Sequence, residues 1–71
     1  MDTDTIGKRI KYARVLAGLT QVDLAKMHGL GGSSGWETGH NEPNIRSGHK
    51  LAKALNITPA WLFFGDGDGP S

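Results

Sequence analysis

Residues 19–37, LTQVDLAKMHGLGGSSGWE, decide what kind of fold this chain adopts. The first half reads as a short amphipathic helix with explicit punctuation. Thr20 is placed to cap it, and Asp23 follows three residues later, as a capping box requires. Val22, Leu24, Ala25 and Met27 give the stretch 20–28 an apolar side, and Gly29 ends it. A helix of about two turns is unstable alone in water, so it must pack on neighbours. A tight turn and a second helix at a steep angle would complete a helix-turn-helix. The glycines at 29, 31, 32 and 35 oppose that second helix, each at about 1 kcal/mol against alanine in a helix interior. The segment therefore reads either as a loop or as a short helix from about Ser33 to Thr38, anchored by Trp36.

Outward from this stretch the helical pattern is clearer. From Thr5 onward, Ile6, Ile10, Ala13, Leu16 and Ala17 recur at three- and four-residue steps, with Lys8, Arg9, Lys11 and Arg14 over much of the remaining surface. Gly18 suits the position just past this helix. On the other side, residues 39–43 read as a loop, because Pro43 disfavours helix at Glu42. Asn44 then caps a helix running to Leu55, with Ile45, Leu51, Ala52 and Leu55 facing inward and Gly48 weakening the middle. Asn56 suits its end, and Thr58-Pro59 restarts a helix as cap and first-turn proline. Ala60, Trp61, Leu62, Phe63 and Phe64 are too apolar for a free tail and should dock on the core or a partner. No alternating strand pattern occurs in the sequence. The expectation is an all-α, compact bundle of five short helices over residues 5–65. Residues 1–4 are expected to be a flexible leader, and 66–71, from the run GDGDGPS, a flexible tail or linker.

Seventy-one residues make one small domain, near the lower limit for an unaided core. The absence of cysteine excludes disulfide staples and thiolate metal sites and suits an intracellular setting. No apolar run approaches the ~20 residues needed to span a bilayer, and MDTDT is unlike a signal peptide. The net charge of +1 conceals a skew: all eight basic residues lie between Thr5 and Gly65, against only Asp23, Glu37 and Glu42. That excess suits a polyanion, although a solvated lysine-rich surface accounts for it equally well. His28, His40 and His49 lack the spacing and the carboxylate motif of a metal site. GDGDG cannot complete a calcium loop before Ser71. No catalytic constellation is visible, so the chain reads as a non-enzyme without cofactor.

Three segments together carry a family resemblance: IGKRIKYARVLAGLTQVDLA, GWETGHNEP and KLAKALNITPAWLFFGD. They resemble the N-terminal DNA-binding domain of the phage lambda-repressor and Cro group (XRE-like). That resemblance covers most of residues 5–66 and implies a five-helix domain with its third helix in the major groove. It further implies a dimeric transcriptional repressor of phage or prophage type, working in the bacterial cytoplasm or nucleoid on a double-stranded DNA operator. One departure stands out. The spacing from Gly29 to Trp36 is shorter than the family usually shows, and the missing part includes the apolar residue that pins the reading helix to the core.

The resemblance assigns roles residue by residue. Gln21 corresponds to a glutamine that bonds a DNA phosphate, helped by the exposed N–H groups at the helix start. Gly32, Ser33 and Ser34 fall where base-reading residues belong, although serine hydroxyls discriminate poorly between bases. His40 and Asn41 follow the third helix, where family members touch the DNA backbone. For each of these the plain alternative is a solvated polar residue. Arg14 and Glu37 correspond to a partly buried salt bridge, which the shortened spacing would tend to pull apart. Trp61, Phe63 and Phe64 read as core or as a homodimer contact. An interaction module on the same scaffold, with impaired DNA reading, is the alternative function.

Overall fold

The computed structural model describes residues 3–27 and 33–70. Along them run α1 (Ile6–Leu16), α2 (Gln21–Lys26), α3 (Ser33–Thr38), α4 (Ile45–Leu55) and α5 (Pro59–Phe64), and no strand occurs among the described residues. The expected all-α bundle of five helices is the observed architecture. His28 and the glycines at 29, 31 and 32 lie outside the described residues.

The helix starts are set by short side chains, as the sequence suggests. Thr5, Thr20, Asn44 and Thr58 each accept a backbone N–H from three residues ahead, at 3.2, 3.0, 2.8 and 3.1 Å. The box at α2 is reciprocal, because the Thr20 N–H donates to Asp23 Oδ2 at 3.0 Å. At the C-termini, Gly18 and Asn56 take left-handed conformations (φ +74° and +56°). The next residues, Leu19 and Ile57, turn their N–H groups back to Arg14 and Ala52 at 3.1 and 2.9 Å, as in a Schellman motif.

Ile10, Ala13, Leu24, Leu51, Ala52, Leu55, Trp61 and Leu62 form the core, with Ile6, Tyr12, Leu19, Trp36, Ala54 and Ile57 packed around it. A buried leucine or isoleucine contributes roughly 1.5–3 kcal/mol, so these few side chains supply most of what opposes chain entropy in so small a domain. Four residues expected on the inward faces are not covered. Leu16, Ala17, Val22 and Ile45 are exposed, Ile45 at 73%. The helices are short, and their terminal turns run past the neighbour that would cover them.

Three glycines are sites of close approach. A Cβ at Gly7 would collide with the Trp36 carbonyl oxygen, so α1 lies directly against the backbone of α3. At Gly48 a Cβ would collide with the Phe63 ring, which occupies the notch that the missing side chain leaves in α4. Gly48 is thus more than a weak point in a helix: it is where α5 seats its aromatic residue. Beyond α5 the chain folds back. A Cβ at Gly69 would stand 2.6 Å from Trp61 Nε1, and Gly69 and Pro70 line a groove with Leu16 and Leu55.

Candidate nucleic-acid interface

The interface is organised by one carboxylate. Glu37, on the inner side of α3, accepts from Arg14 Nε at 2.8 Å and from the second guanidinium nitrogen at 3.1 Å. Arg14 also donates to the Leu19 carbonyl at 2.8 Å, tying the end of α1 to the turn that leads into α2. Gln21 Nε2 stands 3.4 Å from Glu37 Oε1, a longer and weaker contact. Glu37 therefore joins α1, α2 and α3 at a single point. With side-chain exposures of 11% and 3%, the Arg14–Glu37 pair is largely removed from solvent. The shortened spacing has left the pair within bonding distance, because the helix that carries Glu37 starts only at Ser33 and is held by Trp36 and by the approach at Gly7.

The expected contact residues fall on this framework as follows. Gln21 is the exposed first residue of α2. Ser33 and Ser34 form the first turn of α3, and Gly32 lies outside the described residues. The short helix, not the loop, is the form that residues 33–38 adopt. His40 and Asn41 occupy an exposed turn folded onto the end of α3. Their N–H groups donate to the Gly35 carbonyl at 3.1 and 3.4 Å, and the Asn41 amide lies alongside Gly35. Thr38 Oγ1 donates to the same carbonyl at 3.1 Å and contacts His40 Nδ1 at 2.8 Å. A cleft separates this turn from the start of α1, with Thr5 and Lys8 on one wall and His40, Asn41 and Glu42 on the other. No local sequence signal announces that cleft, since its walls are more than thirty residues apart and meet through Gly7.

The structure changes the reading of Arg9 and puts Trp61 in the first of its two alternatives, the core. Arg9, read as part of a basic surface, is a buried cap. Its guanidinium donates to the Leu62 and Phe63 carbonyls at 2.8 and 3.1 Å and to the Thr3 carbonyl at 2.8 Å, satisfying the end of α5. Trp61, read as core or dimer contact, is 7% exposed and belongs to the core, its ring 6.3 Å from that of Tyr12. Phe63 is committed to the Gly48 notch, whereas Phe64 is 76% exposed. Titration adds one feature. The Asp23 carboxyl is held below the usual aspartate range by the Thr20 N–H first and the Thr20 hydroxyl second, with a smaller pull from Lys26. Among the described residues no cluster of metal-ligating side chains occurs, and no helix is long and apolar enough to cross a membrane.

A capped α2, a short α3 packed against it and a carboxylate that locks both to α1 constitute a helix-turn-helix unit, and residues 10–62 match the helix-turn-helix family; the chain belongs to it. Among its relatives is the HTH-type transcriptional regulator DicA of Escherichia coli K12, 41% identical over 66 residues, covering 90% of this chain and 49% of the relative. Repressor protein C2 of Salmonella phage P22 is 37% identical over 68 residues, covering 93% of this chain and 32% of the relative. The chain thus spans half or less of the length of these curated relatives. In three dimensions it is similar to the P22 c2 repressor crystallised with a synthetic operator. That similarity has a TM-score of 0.83 at 36% identity, over 90% of this chain and all of the other.

Proposed function

We propose that this chain is the DNA-binding domain of a phage- or prophage-type transcriptional repressor that reads an operator in double-stranded DNA. The observation that carries this reading is the Glu37 junction, which holds the start of α2 and the end of α3 in fixed relation. The similarity to a repressor–operator complex supports it. In this reading Gln21, His40 and Asn41 position the DNA backbone. Ser33 and Ser34, in the first turn of α3, and Gly32, outside the described residues, are the positions this reading gives to base contact in the major groove. The DNA-binding unit is residues 5–65, with 1–4 and 66–71 outside it. The domain acts in the bacterial cytoplasm or nucleoid without cofactor or catalysis, as a homodimer on paired half-sites. Phe64, open to solvent, is the apolar surface that such a dimer would cover, together with the partly exposed side of Phe63 left outside the Gly48 notch, 6.3 Å away between ring centres.

The exposure of Phe64 also favours the alternative, an interaction module that dimerises without reading DNA. Selection from a random duplex library separates the two. Enrichment of a defined, two-fold-related site supports the repressor. Recovery of unselected sequence from a folded dimer supports the module.

A further inference from the structure

We infer that DNA binding by this domain takes up a proton at His40; the inference rests on the DNA reading above and concerns how that same face is regulated. It starts from a count of hydrogens. Thr38 Oγ1 carries one proton and lies 3.1 Å from the Gly35 carbonyl, which can only accept. The same oxygen lies 2.8 Å from His40 Nδ1. Both contacts are satisfied together only when the Thr38 hydroxyl donates to Gly35 and His40 Nδ1–H donates to Thr38. With both contacts kept, the neutral ring is the Nδ1–H tautomer, and its outer nitrogen, Nε2, presents a lone pair.

A lone pair cannot donate to a phosphate oxygen. The turn that carries His40 can bond the DNA backbone through this ring only when Nε2 gains a proton. That step adds a donor and a positive charge at one atom, and leaves the Nδ1–H to Thr38 unchanged. The charged groups that line the cleft with His40 are Lys8 on α1, Glu42 on the same turn, and Glu37 on α3, the last committed to Arg14 and Gln21. Between about pH 5.5 and about pH 8 the histidine side chain is the one whose charge ordinarily changes, so a proton on His40 is the difference tested on this cleft. The described histidine on α4, His49, donates Nδ1–H to the Ile45 carbonyl at 2.8 Å within its own helix, outside the cleft residues.

The test is the affinity for a random-sequence duplex at about pH 5.5 and about pH 8, at fixed ionic strength, for the natural chain and for His40→Gln. Equal helical circular dichroism of the two proteins establishes that the exposed substitution leaves the fold intact. The natural chain should bind roughly three- to tenfold more tightly at the lower pH, where the added donor and charge meet the phosphate. His40→Gln should show little pH dependence, while His28→Gln and His49→Gln keep it. Ring nitrogen shifts of the free protein should report the Nδ1–H form of His40. Equal pH dependence in the natural chain and His40→Gln, or a neutral His40 protonated on Nε2, overturns the inference and leaves the DNA reading standing. Absence of duplex binding at both pH values defeats the DNA reading and the inference with it.

Discussion

Two arginines in this domain are structural, and their replacement should expose how much of its stability sits in single buried charges. Arg14→Ala leaves Glu37 without its guanidinium partner in a site from which solvent is largely absent. Stranding one member of such a pair costs about 3 kcal/mol, a large share of the ~5 kcal/mol expected for a domain this small. Urea denaturation should therefore show a strongly lowered midpoint, and a loss below about 1 kcal/mol would contradict the assigned role. Arg9→Ala removes three donors from backbone carbonyls and should cost about 2–3 kcal/mol. Its DNA affinity per folded molecule should be unchanged, because Arg9 faces the end of α5. Asp23 behaves differently. Its folded carboxyl titrates below the ordinary aspartate value, so its contribution is complete above that value and is lost as the pH falls through the folded one. Carbon chemical shifts of residues 21–24 should lose helical character below about pH 4, ahead of the other helices. Asp23→Asn should remove that early step.

Among the elements, α3 carries the most glycine in its approach, and its six residues are held by tertiary contacts rather than by propensity. Gly35→Ala should stabilise it by about 1 kcal/mol through helix propensity. The added Cβ would stand 3.1 Å from Asn41 Oδ1, and Asn41 is an exposed side chain free to shift by that small amount. A rise in the urea midpoint is the expected result, and a fall would mean that the turn after α3 is locked against its helix. Gly7→Ala should go the other way, by about 2–3 kcal/mol, since the collision there is with backbone. These two glycines mark what the sequence could and could not disclose. The caps at Thr20, Asn44 and Thr58, the ends at Gly18 and Asn56, and the periodic residues Ile10, Ala13, Leu51 and Leu55 are local signals, and each was legible. The seat for Phe63 at Gly48, the approach at Gly7 and the cap that Arg9 provides all join residues far apart in the chain. Composition and spacing hold no trace of those contacts, so Gly48 read as a weakness and Arg9 as part of a solvated face. The short α3 was legible only as one of two alternatives, because its glycines oppose it locally and Trp36 and Glu37 hold it from outside.

At the scale of the whole molecule the basic excess is smaller at the surface than in the sequence. Of the eight basic residues, Arg9 is bound to carbonyls and Arg14 to Glu37. A DNA-binding face must then rely on lysines, on Arg46 and on neutral donors such as Gln21 and Asn41. That points to fewer phosphate contacts than the composition suggests, and to an affinity more dependent on shape. The most direct test of the central claim is a titration of this domain with a random-sequence duplex over a series of salt concentrations. The account predicts binding that weakens steadily with salt, with a logarithmic slope of about −2 to −4 as a few phosphates release their counterions. A flat salt response, or no binding at the lowest salt, would contradict it.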